Sequence, residues 1–161
     1  MAPNALDKLK DDHHALEDLF QKFEQGRDDS LQQIVEESLA QLEVHTNLEE
    51  DLIYPAVRHV ILAKETIDDA IEVHHVLSLL ARELRKMPAT DARYRAKFRV
   101  LSQIVRHHIS EEETRIFPKA EQAGLDWIAL GQEATVLHDN LMNRKRAKKK
   151  SPQQHSCPTT R

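Results

Sequence analysis

His13, His45, His74 and His108 each fall in phase with the apolar stripe of a helical stretch, and two of them, His45 and His108, have a glutamate four residues on, Glu49 and Glu112. That spacing puts imidazole and carboxylate on one helix face. Imidazole nitrogens and carboxylate oxygens together are the donors of a thiolate-free metal site, so the chemistry in view is metal binding and the redox or Lewis-acid reactions a metal supplies. One seam histidine alone is ordinarily a core residue satisfied by its neighbours. Nor does spacing alone choose the pairs. With 27 acids among 161 residues, ten histidines would meet an acid at the fourth following position about 1.7 times by chance, whereas His13, His14, His45, His107 and His108 all do.

An internal repeat makes the choice. The run His45-Thr-Asn-Leu-Glu49-Glu50-Asp-Leu-Ile53-Tyr54-Pro55 returns as His108-Ile-Ser-Glu-Glu112-Glu113-Thr-Arg-Ile116-Phe117-Pro118. Likewise, Asp12-His13-His14-Ala15-Leu16 is echoed by Val73-His74-His75-Val76-Leu77. The offsets are 61 and 63 residues, so the chain reads as a duplicated pair of two-helix units. The match selects His108 over His107 and Glu112 over Glu111, in agreement with helical phase.

The elements that position these residues follow from the breakers. A first helix runs from about Asn4 to Gln25, with Leu6, Leu9, Leu16, Phe20 and Phe23 on its seam, and stops at Gly26. A second, from Ser30 to about Ala63, carries Leu31, Ile34, Leu42, Leu52 and Ala56, with a kink expected at Pro55. A third covers roughly Glu65 to Lys86, and a fourth extends from about Thr90 to Ala120. Beyond Gly124, Asp126 is placed to cap a shorter fifth helix. The expected fold class is all-α: an antiparallel up-down four-helix bundle over about 4–122, an added helix over about 126–143, and a basic disordered tail over 144–161.

Folding the duplication into a bundle brings four histidines and two glutamates into one interior layer. Unpaired carboxylates in an apolar core cost several kcal/mol each, and bundle cores are a recurrent place for carboxylate-bridged dinuclear sites. Four imidazoles with two carboxylates point to a pair of iron ions, with manganese or zinc ranked behind.

The pattern resembles the hemerythrin-like (hemerythrin HHE cation-binding) proteins: His, then His-x-x-x-Glu, then His, then His-x-x-x-Glu. The matching residues are His13, His45 with Glu49, His74, and His108 with Glu112, over about residues 4–122. The resemblance implies two non-haem irons, with these six residues as metal ligands, bridged by the two carboxylates and a solvent-derived oxo or hydroxo group. It also implies a small oxidant (O2, H2O2 or NO) as partner. Oxygen-carrying hemerythrins have a fifth histidine one turn after the third-helix ligand, where this chain has Ser78. The ligands then leave positions open on both irons, which suits peroxide or redox chemistry better than reversible oxygen carriage. Catalase-like peroxide disproportionation is the enzymatic form to test. The alternatives are iron or oxygen sensing, storage or transfer without turnover, and a metal-free helical interaction domain.

His14, His75 and His107 lie one residue from proposed ligands, about 100° around the helix, and read as surface groups or supports of the ligands. His59 and His138 read by default as partly exposed helix histidines, with extra ligands or gates as the alternative. Tyr54, five residues after Glu49, faces away from it in a regular helix; a distortion at Pro55 would bring its phenol to the metals as ligand or radical donor, whereas Phe117 at the matching place argues for packing.

Composition sets the outer bounds. Three glycines, 4% aromatics and 31% charged residues favour long helices over strands. The N-terminal run lacks a signal peptide's apolar stretch, no apolar run spans a bilayer, and the single Cys157 forms no intrachain disulfide, so a cytoplasmic location is expected. The last 18 residues hold seven Lys or Arg and no acid, against a body charge near -11. A solvated terminus is the favoured reading of that tail over contact with nucleic acid.

Overall fold

The computed structural model describes residues 4–26, 30–61 and 64–150, and the described part is helical with no strand. The first long helix, α1 (Ala5–Gln25), is capped by Asn4, whose side chain accepts from Leu6 N–H at 2.9 Å. It ends at Gly26, where a Cβ would come within 2.8 Å of the Lys22 carbonyl. Next come α2 (Leu31–Leu48), a π-helical turn (Glu49–Ile53) and α3 (Tyr54–Val60). After α4 (Lys64–Lys86), the sequence α5 (Tyr94–Glu111), π-helical turn (Glu112–Ile116) and α6 (Phe117–Glu121) repeats that design. Finally, α7 (Trp127–Lys150) is capped by Asp126, which accepts from Ala129 N–H at 3.0 Å.

The kink expected at Pro55 takes the form of the first π turn, and its twin precedes Pro118. Proline has no N–H to give the carbonyl four residues back, and its ring collides with that carbonyl. Widening one turn relieves both: Tyr54 N–H donates to Glu49 O and Phe117 N–H to Glu112 O, each five residues back. One residue is thereby inserted into the helical phase. The seam expected to continue through Leu52 and Ala56 therefore moves to Ile53, Tyr54 and Val57, which are buried, while Leu52 and Ala56 are only half-buried.

Two apolar clusters fill the bundle. One joins Leu16, Phe20 and Phe23 of α1 to Val35 and Leu39 of α2, Leu77 and Leu84 of α4, and Phe98 and Leu101 of α5. The other joins Leu6 and Leu9 to Ile53, Val57, Ile67, Ile116 and Phe117. The chain passes from the second cluster to the first along α1, back along α2 and α3, forward along α4 and back along α5 and α6, which is the antiparallel up-down order. All six candidate ligands sit between the clusters. Against the outside of α2, Ala134, Leu137 and Leu141 of α7 cover Val44 and Leu48.

The helix expected to stop at 143 runs on to Lys150, which corrects the boundary of the disordered tail. Lys145 accounts for part of this: its Nζ donates to the Ala40 carbonyl at 3.0 Å and to Glu43 at 2.8 Å, so the start of the charge run is docked on α2. Residues 151–161, with His155 and Cys157, lie outside the described residues, as does Ala63. Among the described residues no helix is long and apolar enough to cross a membrane.

Candidate metal centre

His13, His45, His74, His108, Glu49 and Glu112 are all buried, each no more than 4% exposed. Their inner atoms converge. His45 Nε2 lies 3.2 Å from Glu49 Oε1 and His74 Nε2 lies 3.2 Å from Glu49 Oε2, so one carboxylate reaches a histidine from each half of the chain. Glu112 does the same with Oε2, 3.3 Å from His13 Nε2 and 3.5 Å from His108 Nε2. His74 Nε2 and His108 Nε2 are 2.8 Å apart. Two groups of donors close enough for a metal ion result: His13, His45, Glu49 and Glu112, and Glu49, His74 and His108.

These atoms are short of partners. His13 Nε2, His45 Nε2, both oxygens of Glu49 and Glu112 Oε2 are buried without a hydrogen bond. Buried polar atoms are normally paired, and five orphans facing one another between two apolar clusters fit a metal cation. The residues present thus suit such a group.

Without metal, protons are the available cations. Burial opposes charge on His45, but Glu49 beside it prevails and raises the imidazole to about 10. Burial likewise disfavours charge on Glu49, yet His45, His108 and His74 hold its carboxyl well below the usual range. His74 is raised against its own desolvation by Glu49, Glu112 and Glu50.

The outward ring nitrogens also find carboxylates. His13 Nδ1 lies 2.7 Å from Glu113 Oε1, and His74 Nδ1 lies 2.9 Å from Glu50 Oε1. Each of these acids comes from the other half of the chain. His45 Nδ1 faces Asp12 Oδ2 at 3.7 Å. A carboxylate behind a ligating histidine fixes its tautomer and raises its basicity. These three acids were not among the candidates from sequence. The repeated Glu-Glu pair and the Asp12-His13 adjacency were the available signals, but which histidine each acid would meet depends on the packing of helices.

Tyr54 does reach the site. Its hydroxyl donates to Glu112 Oε1 at 2.5 Å and lies 3.5 Å from His74 Nε2, and its ring stacks on His74 at 5.5 Å. Burial, then Glu49 and Glu112, pushes the phenol far above its ordinary range. In the other half, Phe117 stacks on His13 at 5.8 Å. Of the remaining candidates, His14, His75, His107 and His59 are exposed. His138 lines a pocket of about 300 Å³ with Asp12 and Met142, and its Nδ1 faces Asp139 at 3.4 Å rather than the centre. A larger cleft of about 470 Å³ between α2 and α4 has His74, Glu50 and Ser78 among its walls.

Comparison with known proteins agrees with this architecture. A Hemerythrin HHE cation binding domain-containing protein from Mycobacterium kansasii superimposes with a TM-score of 0.79 at 21% identity, covering 91% of each chain, a likeness of fold. A DNA nickase of Nostoc sp. (strain PCC 7120 / SAG 25.82 / UTEX 2576) is 24% identical over 115 residues; the match takes in 71% of this chain and only 32% of that protein. The Hemerythrin HHE cation binding domain family matches residues 4–120. With most of its length matched and a His/Glu cluster suited to metal in its core, the chain belongs to the hemerythrin HHE cation-binding family.

Proposed function

We propose that the chain is a non-haem di-iron protein that binds and redox-activates a small oxidant, O2, H2O2 or NO, with catalase-like disproportionation of peroxide as its enzymatic form. The observation that carries this reading is the set of orphaned His and Glu atoms aimed at one another in the core. His13 and His45 would hold one ion and His74 and His108 the other, with Glu49 and Glu112 reaching both. Imidazole and carboxylate in this ratio favour iron over manganese or zinc. An iron pair supplies electron transfer to and from the oxidant.

The protein's own residues prepare the site. Glu113 and Glu50 fix the tautomers of His13 and His74 so that each Nε2 lone pair faces inward. Tyr54 holds a proton at its hydroxyl, bonded to Glu112 Oε1, and is the nearest proton donor to the centre other than the histidines. Phe117 and the two apolar clusters shield the ligand layer from water at its two ends. The cleft beside His74, with small Ser78 in its wall, gives a peroxide-sized molecule an approach between α2 and α4. Peroxide disproportionation returns its own electrons, since one peroxide is reduced to water while another is oxidised to dioxygen, so no partner reductase is required.

The test is metal content, an ultraviolet-visible spectrum and oxygen evolution from peroxide on the purified chain. Two irons per chain with an oxo-bridged ferric spectrum and peroxide turnover are expected. Iron binding without turnover would move the chain to the sensing or storage reading, and a chain that takes up no metal would refute both.

A further inference from the structure

We infer that the two metal positions are unequal, and that Asp12 makes the His13–His45 position the tighter and first-filled one. This rests on the dinuclear reading above and adds to it a positioning residue and an order of loading. Glu113 behind His13 and Glu50 behind His74 are related by the duplication, so they favour neither position. The duplication breaks at Asp12, whose counterpart in the second half is Val73. On the first side, Asp12 Oδ2 and His45 Nδ1 are both buried, both without a hydrogen bond, and face each other at 3.7 Å. Each is the other's nearest candidate partner, and a small side-chain rotation closes the gap and satisfies both. On the second side, Val73 offers no acceptor. Among the described residues the carboxylates that meet His108 are the inward ones, Glu49 and Glu112.

With both imidazoles backed by carboxylates, the first position has the more basic, better-fixed nitrogens and one more nearby negative charge. Loss of such a backing group lowers metal affinity by roughly 10- to 100-fold, and the two positions should differ by about that factor. The other break in the duplication, Tyr54 against Phe117, does not offset this for a divalent ion. The buried phenol keeps its proton and donates it to Glu112.

Cobalt(II) serves as the probe, with the full-length chain stripped by chelator and then titrated. Visible absorption should show two binding steps about 10- to 100-fold apart. Anomalous diffraction from crystals grown with one equivalent of cobalt should place the ion between His13 and His45. The exchange Asp12→Val with Val73→Asp should move the first ion to His74 and His108, and Asp12→Ala alone, at a half-buried position of α1, should bring the two steps together. Equal occupancies in the wild type, steps still tenfold apart in Asp12→Ala, or an unchanged filling order in the exchanged variant would overturn the inference. Failure of the wild type to bind any cobalt would instead strike the metal-centre reading on which it rests.

Discussion

Replacing Tyr54 by Phe removes one oxygen and leaves the packing almost untouched, because the ring stacked on His74 stays and Phe already occupies the equivalent position 117. What is lost is the donor to Glu112 Oε1. Tyr54 is 1% exposed and Glu112 0%, so no water replaces it. A hydrogen bond to a charged acceptor contributes about 1.5–3 kcal/mol, and the carboxylate left behind has lost a partner in a site where it already has an orphan oxygen. We expect the metal-free chain to lose about 2 kcal/mol, which for a domain of this size lowers the melting midpoint by roughly 4–8 °C. Circular dichroism melts of chelator-treated wild type and Tyr54→Phe at neutral pH measure it. A midpoint within about 1 °C of wild type would mean that the phenol does not serve Glu112 in the folded state, and its assignment as the proton-holding group would fall with it.

Other outcomes follow from the same geometry. The raised His45 contributes stability to the metal-free chain that is fully present below its unfolded value of 6.5 and is lost as pH climbs toward about 10. The depressed Glu49 contributes above its unfolded 4.5 and is lost as pH falls further. Chelator-treated protein should therefore melt highest between those limits and lose stability from pH 7 to 10, while metal-loaded protein, whose ligating imidazoles are already neutral, should not show the alkaline loss in the same scan. Glu49→Ala and Glu112→Ala should each empty the site by elemental analysis, whereas His107→Ala, at an exposed position, should keep its metal; a metal-free His107→Ala would refute the register. Phe98→Ala, at a side chain with no exposure in the cluster beside the ligand layer, should cost about 3–5 kcal/mol in denaturant melts.

Much of this was legible in the chain because four histidines and two glutamates keep helical phase with the apolar seam, and because duplication repeats the choice. The part that was not legible depends on departures from a regular helix or on contacts between helices. A uniform 3.6-residue period turns Tyr54 away from Glu49; the π turn that brings it to Glu112 arises from Pro55, and a proline announces a disturbance without specifying its form. Glu50 and Glu113 stood in the repeat without a role because their partners, His74 and His13, lie 24 and 100 residues away. At the other end, the run from Arg144 has the composition of a solvated tail, yet Lys145 finds Glu43 and the Ala40 carbonyl on α2, and the helix persists.

The ligand layer also divides the interior. Inside the four-helix bundle the two apolar clusters lie on opposite sides of a polar seam, while α7 runs along the outside, with Trp127 and Leu130 on one cluster and Leu137 and Leu141 beside Val44 and Leu48. Metal-free, the lobe containing Leu6, Val57, Ile67 and Phe117 meets its neighbour through the His/Glu contacts of the layer, the stacking of Phe117 on His13 and of Tyr54 on His74, and backbone continuity, and it should open as a separate unit in hydrogen exchange. Binding free energy is realised only when both lobes hold their ligands in place. Loading should therefore act as a weld, turning two cooperative units into one, so that the slowest-exchanging amides spread from one lobe to both.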